Sequence, residues 1–251
     1  MKRIDLNCDM GELPEAIADG TQESLMPWLT SANIACGGHA GDAQTMEATI
    51  AQAQKHNLAI GAHPGYPDRE NFGRFEMNLS SQAISDFVFE QVKALDEIAK
   101  QLGATIWHVK PHGALYNQAV RNREIAMAIA DGVARWKRDV VLVGLADSPM
   151  LEVFREAGFT AAAEAFADRR YEPDGTLRLR KFRDALLHDP AEAAKQAVSI
   201  ATRGKLIAQN GSEISVTAQT LCIHGDTPGA TKIAAAVAQA LATAGVPVKP
   251  L

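Results

Sequence analysis

Ile4-Asp-Leu-Asn-Cys-Asp-Met-Gly-Glu12 alternates apolar and polar side chains and then breaks at a glycine. Successive side chains of a strand point to opposite faces, so Asp5, Asn7 and Asp9 share one face while Ile4, Leu6 and Cys8 share the other. Thr105-Ile-Trp-His-Val-Lys-Pro-His112 repeats the pattern, with His108, Lys110 and His112 set against Trp107 and Val109. Thr220-Leu-Cys-Ile-His-Gly-Asp226 repeats it again, with Cys222, His224 and Asp226 against Leu221 and Ile223. In a barrel wrapped by helices the outward face must be apolar, so these polar stripes turn inward. Polar groups inside a barrel are costly unless they bond to each other or to a ligand. The pattern therefore predicts a β/α barrel with one polar site where its strands end.

Working outward, strand-like and helix-like segments alternate along the chain, which predicts a parallel sheet. Strands are expected near Ile4–Asn7, Ala32–Ala35, Leu58–Ala62, Thr105–Val109, Val140–Leu145, Thr160–Glu164 and Thr220–His224. The clearest helix runs from Ser80 to Leu102, with Ile84, Phe87, Val88, Val92, Leu95, Ile98 and Leu102 at spacings of three and four. Ser80 opens it and Gly103 follows it, as a capped helix requires. Another begins at Asp189-Pro-Ala-Glu192, where Asp caps, Pro occupies the first turn and Glu reaches back. No linker divides residues 1–251, so a single domain is expected, with loop insertions near 64–78 and 167–187. The second insertion carries Glu172-Pro-Asp-Gly-Thr-Leu-Arg-Leu-Arg180, a turn signal that predicts a small hairpin. Long loops on the site face of a barrel often act as lids.

At 251 residues the chain suits one large domain with a buried core. A net charge of -5 with no basic stripe argues against a nucleic-acid surface. No stretch approaches the ~20 apolar residues of a membrane span. The start of the chain runs directly into a strand without the apolar segment of a signal peptide, so a cytoplasmic location is expected. Cys8, Cys36 and Cys222 form no Cys-x-x-Cys pair and are expected to behave as small buried hydrophobes. Asp5 is expected either to brace its neighbours or to join the site.

The Asp, Asn and His residues at the strand ends supply possible metal ligands, proton donors and acceptors, and oxyanion donors. His108 and His112 have the spacing of a zinc pair, but Pro111 breaks any helix there, so the metal signal is weak. Asp9 or Asp226 with a histidine partner is the simplest arrangement for activating water. Lys110 and Arg169 are suited to an anion or a developing negative charge. The helix that begins after His224-Gly-Asp-Thr-Pro-Gly229 would offer backbone amides to a phosphate or carboxylate. Neither a Walker-type phosphate loop nor a dinucleotide-binding fingerprint occurs.

Asp5–Glu12, Asn33-Ile-Ala-Cys-Gly-Gly-His-Ala-Gly-Asp42, Gly61-Ala-His-Pro-Gly-Tyr-Pro-Asp68, Val109-Lys-Pro-His-Gly-Ala-Leu-Tyr-Asn117, Glu164-Ala-Phe-Ala-Asp-Arg-Arg-Tyr171 and Ile223-His-Gly-Asp-Thr-Pro228 stand in this order along almost the whole chain. In these motifs the chain resembles the LamB/YcsF family, whose members are described as the A component of a bacterial ATP-dependent 5-oxoprolinase. The resemblance implies a seven-stranded, TIM-like barrel of the glycoside hydrolase/deacetylase type. It implies opening of the lactam of 5-oxo-L-proline to L-glutamate, with ATP and magnesium as co-substrate and with 5-oxoprolinase subunits B and C as partners. Two loop positions depart from the family pattern: Phe75 stands where a second arginine is expected after Arg74, and Gly38 where a bulkier residue is expected before His39.

On this reading Asp9 or Asp226 is the general base and His112 assists proton transfer. Asn7, His39, His63, Arg74, Lys110, Glu164, Arg169 and His224 line the pocket and hold carboxylate or phosphate. Two other classes of function stay open. One is a stand-alone, metal-dependent amidohydrolase or deacetylase using His39, His63, His108, His112 and His224 beside Asp9 and Asp226. The other is a non-catalytic component that binds a lactam for a partner.

Overall fold

A computed structural model describes residues 3–251. Nine strands are described: β1 (Asp5–Met10), β2 (Ser31–Ala35), β3 (Ala59–His63), β4 (Ile106–Val109), β5 (Val141–Leu145), β6 (Thr160–Phe166), β7 (Lys205–Ile207), β8 (Glu213–Ser215) and β9 (Thr220–Cys222). Seven of them close into a parallel barrel in the order β1-β2-β3-β4-β5-β6-β9, with β9 sealing the ring against both β1 and β6. All seven expected strands are present, with boundaries shifted by a few residues. The helices are α1 (Pro14–Ala18), α2 (Ala43–Lys55), α3 (Ser81–Gln101), α4 (Gly113–Arg121), α5 (Arg123–Trp136), α6 (Pro149–Glu156), α7 (Pro190–Arg203) and α8 (Ala230–Thr243).

The alternation of β1 is realised as a two-sided strand. Leu6 and Cys8 are fully buried in the apolar layer, while Asp5 and Asn7, equally buried, bond across the interior. The stripe of α3 buries Ile84, Val88, Val92 and Leu95, each contributing about 1.5–3 kcal/mol of transfer free energy. Ser80 caps this helix by accepting a hydrogen bond from the Ala83 amide, and Gly103 follows with φ of 66°. Asp189 caps α7 through the Ala191 amide, but Glu192 does not complete a capping box and lies 3.6 Å from Arg170 instead. Trp107 also departs from expectation. It projects outward from β4 beyond the cover of the helices and is 63% exposed.

The hairpin expected at 172–180 is only a tight turn closed by a single bridge between Tyr171 and Leu177. The ladder lies later in the chain, where β7 and β8 pair antiparallel across a turn that contains Asn210 and Gly211. Among the described residues no helix is long and apolar enough to cross a membrane.

Candidate active site

The strand ends meet around a cavity of about 480 Å³ lined by Asp9, Glu12, His63, Lys110, His112, Tyr116, Phe166, Arg169 and His224, with Arg74, Arg180 and Asp226 at its mouth. At the bottom, Asp5 accepts hydrogen bonds from Thr30, Ser31 and Thr220, tying β1 to β2 and β9. Asp5 thus serves as a brace. Burial pushes its carboxyl above the usual range against those hydrogen bonds.

One layer up, Lys110 bridges two carboxylates. Its Nζ lies 2.9 Å from Asp9 Oδ1 and 3.0 Å from Glu164 Oε1, with Asn7 Oδ1 at 3.3 Å and Cys222 Sγ at 3.1 Å. Burial alone would favour the neutral amine, but Asp9 and Glu164 outweigh it and hold the Lys110 pKa well above the lysine range. Its donors are already committed to these partners, so the ammonium is an internal tie rather than the open anion receptor expected from sequence. Asn7 donates to Glu164 and Thr220, and Asn33 donates to both Asn7 and Asp9. His108 is separate from the other histidines. Its Nε2 lies 2.7 Å from Asn33 Oδ1, and burial followed by the charge of Lys110 lowers its pKa to about 3.

His39, His63 and His112 converge on two carboxylates. Glu12 Oε1 is 2.9 Å from His39 Nε2, 3.2 Å from His112 Nδ1 and 3.9 Å from His63 Nε2. Asp9 Oδ2 is 3.3 Å from His63 Nε2. The His39 and His112 rings stack at 3.6 Å. Burial and then the neighbouring His112 lower the His39 pKa to about 3, leaving that ring neutral. Burial opposes the charged forms of Asp9 and Glu12, yet His63 and Lys110 hold Asp9 well below the carboxylate range, and the neighbouring His112 and His39 do the same for Glu12. Glu12, His39, His63 and His112 each offer a ligand atom within 4.8 Å of the others, a spacing that one metal ion can span.

On the opposite wall His224 is held by Asp168. Its Nδ1 is 2.9 Å from Asp168 Oδ1, its backbone amide donates to Oδ2 at 2.9 Å, and its ring stacks on Phe166. A carboxylate at Nδ1 fixes the proton there, so Nε2 carries the lone pair. Nε2 has no hydrogen-bond partner among the described residues. Burial works against the Asp168 carboxylate, but His224 outweighs it and lowers its pKa.

Asp226 does not join this cluster. It pairs with Arg74 and, at 3.4 Å, with Arg180, so it ties together the loops after β3, β6 and β9. Arg169 donates to the carbonyls of Arg178 and Ala185, propping the long loop from inside, and burial followed by Arg180 lowers its pKa to about 10.

Glu12 and Asp168 were not singled out from sequence, although both sit inside the quoted motifs, at the turns that end two strands. Gln91 gave no local signal. It reaches from α3 to clasp both backbone groups of Gly65, and a Cβ added at Gly38 would meet its Oε1 at 2.3 Å. That contact explains the glycine where a bulkier residue was expected.

Known proteins place the chain clearly. Residues 4–251 match the LamB/YcsF family. The chain is 47% identical over 249 residues to the A component of 5-oxoprolinase from Chloroflexus aggregans, covering 99% of each sequence. Against the A component of 5-oxoprolinase from Bacillus cereus it is 47% identical over 230 residues, 90% of each. The crystal structure of the lactam utilization protein from Thermus thermophilus superposes with a TM-score of 0.92 at 41% identity, covering 99% of this chain and 100% of that one. With sequence, fold and motif order in agreement over its length, the chain belongs to the LamB/YcsF family.

Proposed function

We propose that this chain is the A component of an ATP-dependent 5-oxoprolinase and opens the lactam of 5-oxo-L-proline to L-glutamate. The observation that carries the reading is full-length kinship, at 47% identity, to the A component of 5-oxoprolinase from Chloroflexus aggregans. The site agrees with it chemically. A cavity of about 480 Å³ suits a small ring, and its mouth holds two arginines that a substrate carboxylate can engage in place of Asp226.

In this reading His224, rather than Asp9, activates water. Asp9 is held well below the carboxylate range by His63 and Lys110 beside it and is therefore a weak base. His224 has a fixed tautomer with a free Nε2 facing the cavity. Tyr116 supplies a donor. Its hydroxyl lies beside Glu164 without a well-formed hydrogen bond, and burial together with that carboxylate keeps it protonated. It can donate to the lactam oxygen as negative charge develops there.

A lactam is a stable amide. ATP, as magnesium complex, would supply a phosphoryl group that makes its carbonyl carbon a better electrophile, and the B and C components would complete the assembly. The test is glutamate release from 5-oxo-L-proline, with and without ATP, by this chain alone and together with candidate B and C components. Glutamate is expected only from the complete mixture with ATP. Glutamate from this chain alone without ATP would establish a stand-alone amidohydrolase instead, and none from any mixture would end the reading.

A further inference from the structure

We propose that Glu12, His39, His63 and His112 form the binding site of one divalent transition-metal ion, of which Zn²⁺ fits best. The tautomers carry the argument. His63 Nδ1 lies 2.7 Å from the Lys110 carbonyl oxygen, and His112 Nε2 lies 2.9 Å from the Phe72 carbonyl oxygen. A carbonyl oxygen only accepts, so each of these nitrogens carries the hydrogen. The other nitrogens, His63 Nε2 and His112 Nδ1, therefore present lone pairs in the neutral rings. They face each other at 3.0 Å, and both face Glu12 Oε1, at 3.9 Å and 3.2 Å. In the neutral rings, two lone pairs and a carboxylate oxygen pointed at one place repel unless a positive charge, an added proton or a metal ion, sits between them.

The spacing matches a metal polyhedron. Bonds of about 2.0 Å to nitrogen and oxygen set tetrahedral ligand atoms about 3.3 Å apart. With the 2.9 Å contact between His39 Nε2 and Glu12 Oε1, four of the six edges run from 2.9 to 3.9 Å, around that value. Backbone carbonyls on the outer nitrogens of two histidines are the outer-shell arrangement that orients imidazole ligands.

Charge points the same way. Among the groups in contact with Lys110 and the three histidines, Asp9, Glu12 and Glu164 supply three carboxylates against the one ammonium, leaving an excess of two negative charges when the histidines are neutral. One divalent ion balances it. Three imidazoles with one carboxylate favour zinc or a neighbouring transition metal over magnesium or calcium, which prefer all-oxygen sites. Glu12, His63 and His112 all line the cavity, so the ion would border the space where a substrate amide lies and could polarise its carbonyl or a water. That use rests on the lactam reading, whereas binding does not.

The experiment reads metal directly. Purified wild-type protein is stripped with a chelator, titrated with Zn²⁺ by calorimetry, and assayed for metal content after gel filtration. Co²⁺ in place of Zn²⁺ reports geometry through its visible absorption spectrum. One ion per chain and a tetrahedral-type Co²⁺ spectrum are expected, with stoichiometric binding lost in His112→Gln and Glu12→Gln. His108→Gln, a buried histidine outside the set, should keep the ion and shows that loss is not general unfolding. If His112→Gln fails to fold, Glu12→Gln carries the comparison. A wild type that retains no ion at equimolar Zn²⁺, Co²⁺ or Mn²⁺, or a Glu12→Gln that binds as tightly as wild type, would overturn the site. Neither outcome depends on glutamate release, so failure here leaves the oxoprolinase reading standing, and failure of that reading leaves this one standing.

Discussion

His224 gives Asp168 two hydrogen bonds at once, from its ring Nδ1 and from its own backbone amide, both at 2.9 Å. The double contact fixes ring position and tautomer together, and leaves Nε2 as the proton-accepting atom at the cavity wall. Asp168 is wholly buried and acts only through this ring, so it is a positioning residue.

Asp168→Asn keeps the shape but can donate to Nδ1, which favours the opposite tautomer and moves the proton to Nε2. We expect kcat of the assembled enzyme to fall about 10²–10⁴-fold, the usual contribution of a positioned acid–base group, with KM changed much less. His224→Gln should cost as much, and the double variant little more than either alone. Steady-state kinetics on the three variants, with near-ultraviolet circular dichroism as a folding control, checks this. Additive losses would refute a shared role.

Lys110 gives a stability prediction. Replacing it with Met leaves Asp9 and Glu164 buried without their counter-charge, which costs about 3–5 kcal/mol. Lys110→Met combined with Glu164→Gln should recover part of that loss, because one of the stranded charges is gone. Urea denaturation of the two variants measures it, and equal stability would show that Lys110 does not pair with Glu164 in solution.

His108 gives a pH dependence with a defined sign. Its folded pKa of about 3 lies below the ordinary histidine value of about 6.5. Below pH 6.5 the unfolded chain binds a proton that the folded chain refuses, so stability falls as pH drops from about 6.5 toward 3. At pH 5 this single site should cost roughly 2 kcal/mol. The depressed carboxylates of Asp9, Glu12 and Asp168 act in the same direction at lower pH. Melting temperatures of wild type and His108→Gln between pH 7 and 5 should converge as pH falls. Parallel curves would mean that His108 titrates normally.

The barrel was legible because its evidence is local. Period-two alternation in β1 places Asp5 and Asn7 inside and Leu6 and Cys8 outside whatever the distant chain does, and the apolar stripe and capping Ser80 of α3 are complete within one segment. The long loops were also visible, as insertions between periodic segments, but their internal structure was not. A tight turn signal at 172–176 produced one bridge, while the ladder formed at β7 and β8.

Roles within the site depended on contacts that no segment contains. Lys110 reads as an anion receptor until Asp9 and Glu164, from two other strands, take up its charge. Asp226 reads as a base until Arg74 and Arg180 close on it. Gln91 becomes meaningful only where α3 packs over Gly65 and Gly38. Sequence alone determined the barrel, the inward polar face and the set of titratable groups at the strand ends, because side-chain alternation and helix periodicity act within a few residues. The tertiary structure alone decided which histidine meets which carboxylate, because hydrogen bonding, burial and proton placement depend on atoms brought within a few ångströms by the closure of β9 against β1 and β6.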